Sequence, residues 1–150
     1  MKIYIASDHA GYELKQKLIE YLLDEDFDVS DEGTFEFDVQ DDYPDFISKV
    51  AEKVSKDSKN SKGIILGGSG QGEAIVANRF KNVRAAVYYG GDLDIIKLSR
   101  EHNDANILSL GARFISFDTA KNTVNLWLNT AFSEDERHLR RIKKIDSLNF

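Results

Sequence analysis

The run "GIILGGSGQGE", residues 63–73, decides how the chain is read. "GIIL" has the short apolar character of a buried strand. Gly67, Gly68, Gly70 and Gly72 then crowd six positions, and Glu73 opens a helix expected to run to about Phe80. A strand, bare glycines and a helix start together leave backbone N–H groups without partners, and such groups bind anions. Glycine also lets a ligand oxygen come close to the main chain. The anion is either a phosphate or a negative charge that develops during a reaction. Glu73 has two readings. It is a helix-start acid that complements the dipole, or it is a general base. Removing a proton next to a carbonyl requires a base beside fixed donors for the oxygen that becomes negative.

Outward from this run, short apolar segments alternate with helical patterns. "IYIAS" (3–7), Phe27 with Val29, "GIIL" (63–66), "RAAVYY" (84–89) and "ANILSLG" (105–111) read as five strands. Between and after them, Leu14, Leu18 and Leu22, then Phe46, Ile47, Val50, Ala51 and Val54, recur at helical spacing. "DDYPD" places Pro44 at a helix start, where its missing N–H costs little. "DLDIIKLSREHND" and the stretches 117–130 and 134–148 complete the helices. Strand–helix alternation implies an α/β fold. The expectation is a Rossmann-like, three-layer αβα sandwich of about five parallel strands with helices on both faces. No linker or repeat divides residues 1–150, so a single domain is expected. Ligands of such sheets lie beyond the carboxyl ends of the strands. Three polar clusters are expected there: "SDHAG" (7–11), "GGSGQGE" (67–73) and, one helix later, "REHNDAN" (100–106).

Composition narrows the classes. Without cysteine there is no disulfide, thiol nucleophile or Cys-ligated zinc. The net charge of −6 argues against nucleic-acid and membrane-surface partners. "MKIYIASDH" reads as a strand and then polar residues rather than a leader, so a cytoplasmic protein is expected. His9, His102 and His138 lack metal-ligand spacing, and neither a metal nor a cofactor is expected.

Within the clusters, Ser7 or Asp8 serves as a helix cap, and His9 is a candidate ligand-binding residue. His102 and Asn103 fall at a helix end before the fifth strand, where a histidine also complements the dipole. "RHLRRIKK" (137–144) is a basic block in an acidic chain. Arg137 and Arg141 share one helix face, and Arg113 is a third candidate for holding phosphate. The plain alternative is a solvated face paired with "EDE" (134–136). Ile142, Ile145, Leu148 and Phe150 suit a tail that packs on a partner subunit. Dinucleotide binding is a rival for the glycine loop, with Asp92 as its acid. However, its third glycine falls on Glu73, whose carboxylate repels a pyrophosphate.

"SDHAG", "DYPD", "GGSGQGEAIVANR", "RAA", "SREHNDANILSLGAR" and "RHLRRI" together resemble the ribose-5-phosphate isomerase B family, which includes galactose-6-phosphate isomerase. The resemblance covers nearly the whole chain. It implies a metal-free aldose–ketose isomerase that works through an enediolate. Asp8 and His9 then contact substrate, His102 assists ring opening and Asn103 binds substrate. Gly68, Ser69, Gly70 and Gly72 hold the enediolate oxygen, and Arg113, Arg137 and Arg141 hold the phosphate with His9 nearby. Many members carry a cysteine base where this chain has Gly67. "GSGQGE" resembles the branch that uses a glutamate, which falls on Glu73. The resemblance also implies a homodimer, or a tetramer, with the site between subunits and helix 134–148 near the interface. The substrate is left among ribose 5-phosphate and hexose 6-phosphates such as galactose or allose 6-phosphate. A non-catalytic sugar-phosphate or nucleotide-binding module remains the alternative. It would need the loop and arginines but neither Glu73 nor His102.

Overall fold

The computed structural model describes residues 1–148; Phe150, expected in the apolar tail, lies outside them. Five strands form one parallel sheet in the order β2-β1-β3-β5-β4. They are β1 (Lys2–Ser7), β2 (Asp28–Asp31), β3 (Ser61–Gly67), β4 (Ala85–Tyr88) and β5 (Ile107–Gly111). The helices are α1 (Tyr12–Asp24), α2 (Pro44–Lys56), α3 (Gln71–Ala77), α4 (Asp94–Glu101), α5 (Phe117–Asn129) and α6 (Glu136–Asp146). A short 3-10 turn, His9–Gly11, joins β1 to α1.

The two-residue period of the strands sorts the core into two halves. Ile3 and Ile5 of β1, Ile64 and Leu66 of β3, and Leu108 and Leu110 of β5 pack with Leu18, Leu22, Ile96, Val124 and Trp127 of α1, α4 and α5. Ala6, Ile65 and Ile107 point to the other face and pack with Ile47, Val50, Val54 and Ala77 of α2 and α3. This is the expected three-layer arrangement. Gly63 is a glycine because a Cβ there would stand 2.7 Å from Val50 Cγ1, and α2 could not sit down on the sheet. Pro44 opens α2 as expected.

The strand order positions the site. The chain leaves β1 toward β2 on one side and leaves β3 toward β4 on the other, with β5 filling the slot between β3 and β4. The carboxyl ends of β1 and β3, which are neighbours in register from Lys2↔Ser61 to Ser7↔Leu66, therefore form a topological switch point. "SDHAG" and "GGSGQGE" meet there. "REHNDAN" does not, contrary to expectation. It spans the end of α4 and leads into β5, and Arg84, just before β4, binds Asp104 and Asn106. It therefore lies at the amino edge of the sheet, because a helix between parallel strands must return the chain to the edge where strands begin.

Lys62, the second residue of β3, has its ammonium 5.1 Å from the centre of the Trp127 ring. Burial, and secondarily the Arg100 charge, push it down to about 8, while Asp104 opposes this. The unfolded chain releases that proton near 10.5, so folding carries a penalty that is complete below pH 8 and fades as pH rises to 10.5. K62M should therefore raise Tm at pH 7 by a few degrees, with the gain vanishing by pH 10.5 in thermal melts.

Candidate active site

At the carboxyl edge, Asp8 caps the 3-10 turn; its Oδ1 accepts from Ala10 N at 2.9 Å and Gly11 N at 3.2 Å. Of the two expected caps, Asp8 is the one used, while the Ser7 hydroxyl is buried without a partner. His9 follows, its Nδ1 2.6 Å from Asp41 Oδ1. His9, Asp8 and Asp41 offer ligand atoms within 4.8 Å of one another, the spacing of a cation site. Those of His9 and Asp41 already engage each other, and Asp8 is engaged by backbone N–H groups.

The glycine loop is held against the end of β5. Ala112 N donates to Gly67 O, Arg113 N to Gly68 O, and the Ser109 hydroxyl to Gly70 O at 2.6 Å. Gly70 has φ of +77°, a left-handed conformation that redirects the chain into α3. The Tyr43 phenol lies over Gly72, where a Cβ would be 2.8 Å from its oxygen. The Arg113 guanidinium lies beside Gly68.

Glu73, in the first turn of α3, is 4% exposed. Its carboxylate folds back onto Gly67, and a Cβ at position 67 would fall inside it. Burial pushes the Glu73 carboxyl above the usual range. Its own backbone N–H partly offsets this, and the nearby charge of Asp8 adds to the rise. A carboxylate so placed is a stronger base than an exposed one, and it lies beside the glycine loop.

The amino edge carries a second group. His102 caps the C-terminus of α4, and its ring stacks on His138 of α6, centroids 4.3 Å apart and planes 14° from parallel. His138 is buried, and that burial, with the charges of His102, Arg137 and Arg141, lowers its pKa despite Asp135. Arg137 and Arg141 flank it, exposed. Arg100 and Arg84 both bind Asp104, and Arg84 also reaches Asp146 of α6, so the turn bearing His102 and Asn103 is fixed to the last helix. Asn103 reaches an open cavity of about 820 Å³ between β4 and the end of α6.

The family is now decided. Residues 3–145 match the family described as Ribose/Galactose Isomerase. The ribose-5-phosphate isomerase B of Mycobacterium leprae is 40% identical over 142 residues, covering 95% of this chain and 86% of that one. The ribose-5-phosphate isomerase B of Escherichia coli is 35% identical over 98% of this chain and 95% of its own. The enzyme of Mycoplasma genitalium, solved with bound ribulose-5-phosphate, superposes with a TM-score of 0.92 at 41% identity, over 97% of this chain and 93% of that one.

The chain belongs to the ribose/galactose isomerase family.

In this family member, one chain brings together Asp8, His9, Gly68, Ser69, Gly70, Gly72, Glu73 and Arg113. It holds His102, Asn103, Arg137 and Arg141 apart from them, at the opposite edge. β5 alone separates the edges by about 13 Å at its five-residue length. Sequence reading missed Asp41, Tyr43 and Ser109, which orient or cover this site, and treated His138 only as a histidine without ligand spacing. The signal for Asp41 is its place as an acid directly before "DYPD". If the Gly67 vacancy is what admits the Glu73 carboxylate, G67A should lower kcat at least tenfold while the fold stays intact by circular dichroism.

Proposed function

We propose that this chain interconverts ribose 5-phosphate and ribulose 5-phosphate through an enediolate, with Glu73 as the base. The observation that supports this most is the buried carboxylate of Glu73 in the space left by Gly67, next to the glycine loop at the start of α3. The ribulose-5-phosphate held by the related Mycoplasma enzyme supports the choice of a pentose phosphate.

In this reading His102 assists opening of the sugar ring, with Asn103 binding the sugar. Glu73 takes the proton from C2 of the open aldose, and the electron pair moves onto the C1 oxygen. Backbone N–H groups of residues 69–72, with the Ser69 hydroxyl, stabilise that oxyanion. Donors of this kind are typically worth about 10²–10³-fold in rate. Glu73 then returns the proton to C1, and a proton passes from O2 to O1, giving the ketose. Asp8 and His9 contact the substrate, and Arg113, Arg137 and Arg141 hold the phosphate far from the reacting carbons. No step in this sequence calls on a metal or redox cofactor. The enzyme would serve carbohydrate metabolism in the cytoplasm.

The split of these residues between two edges supports a homodimer in which the amino edge of one copy faces the carboxyl edge of the other. A five-carbon sugar phosphate is shorter than the separation of the edges within one chain. Exposed Ile75, Leu93, Ile95, Leu98 and Phe114 supply apolar surface for a subunit contact. The polar cluster at the end of α6 and the neighbouring Ile145 and Leu148 suit the same face.

Ketose formation from ribose 5-phosphate by the pure protein tests the activity, with galactose and allose 6-phosphates as the competing substrates. E73Q should lower kcat by at least about 10²-fold with little change in KM. The acidic limb of kcat/KM in the unsubstituted enzyme should fall above pH 4.5, the direction in which Glu73 is shifted. The same substitution should stabilise the fold at pH 7. A raised carboxyl pKa costs stability above the folded value, and the gain should disappear below pH 4.5. Refolding E73Q together with H102A should restore about a quarter of wild-type activity if each site draws Glu73 from one subunit and His102 from the other. No recovery would rule out that division.

A further inference from the structure

Asp41, in the loop before α2, is an acid whose side chain is only 6% exposed, and its Oδ1 stands 2.6 Å from His9 Nδ1. Its other oxygen, Oδ2, is buried with no partner. Leaving a carboxylate oxygen unpaired in the interior costs free energy that packing alone would not require. A side chain retained there has its orientation set by the single bond it makes.

A carboxylate only accepts hydrogen bonds, so Nδ1 of His9 is the donor. In the neutral ring this fixes the tautomer and leaves the lone pair on Nε2. No group of the described chain binds Nε2, and the His9 side chain keeps 22% of its surface, so Nε2 is the atom left to meet a ligand. The ring is held from a second side by Phe37, edge-on at 6.1 Å, and Phe37 in turn contacts Tyr12. The charged groups around the ring are Asp41 from the loop and Asp8 from its own turn.

We infer that Asp41 is a positioning residue for substrate binding: it fixes the His9 ring so that Nε2 faces the bound sugar phosphate. This rests on the isomerase reading for the identity of the ligand, but the Asp41–His9 bond itself does not. Asp41 reaches substrate only through His9.

D41N keeps the shape of the side chain but gives it both a donor and an acceptor, so it no longer dictates which ring nitrogen carries the proton. Nitrogen-15 NMR of labelled protein should show His9 protonated on Nδ1 in the wild type and a mixture of tautomers in D41N. Ribose 5-phosphate kinetics should show KM raised about tenfold with kcat changed less than about threefold. H9Q should raise KM to a similar degree, and D41N added to H9Q should raise it no further. A retained Nδ1-protonated His9 in D41N overturns the inference. So does an unchanged KM with altered tautomers, or a D41N effect that persists in full on H9Q. If the wild type forms no ketose, the isomerase reading fails instead. The tautomer measurement, with ribose 5-phosphate affinity by calorimetry in place of KM, then judges the Asp41–His9 pair.

Discussion

Two groups compete for one volume at the end of β3. A side chain on residue 67 and the carboxylate of Glu73 cannot both be present, because the first carbon of the former would lie within the latter. With glycine at 67 the acid swings back from α3 into the strand end and is shielded from water, which makes it a better base. The resemblance of this sequence to a family in which many members place a cysteine at that position then has a steric explanation. In the proposed mechanism a base is delivered to one point in space either by the strand or by the helix, and the other element must step aside.

The rest of the carboxyl edge supports that placement. Ser109 and the start of the segment after β5 hold the glycine loop in register, Gly70 turns it, and Tyr43 closes over Gly72. These contacts keep the loop amides at fixed positions before any ligand arrives, which is what lets donors stabilise charge without reorganising. Arg113 leaves the same strand end, so one element sets the spacing between the loop and a cation.

Much of this was legible in the sequence. Strand–helix alternation, Pro44 at the start of α2 and the two-residue period of the strands are local properties, and they fix the layers. Glu73 was legible because its chemistry and its neighbours are adjacent in the chain. What could not be read depends on return paths. Nothing in "ANILSLG" says that β5 lies between β3 and β4, and nothing in "REHNDAN" says which edge it occupies until the crossover through α4 is traced. Asp41 and His9 are 32 residues apart, and His102 and His138 are brought together only by the last helix. Such pairings come from tertiary packing, to which periodicity is blind.

The last helix is fastened to the body through the imidazole of His138 stacked flat on that of His102, and through the bridge from Arg84 to Asp146. Below about pH 6.5 the unpacked tail binds a proton more readily than the packed one, since burial holds His138 under its ordinary value. Mild acid therefore weakens the attachment of the segment that carries Arg137 and Arg141.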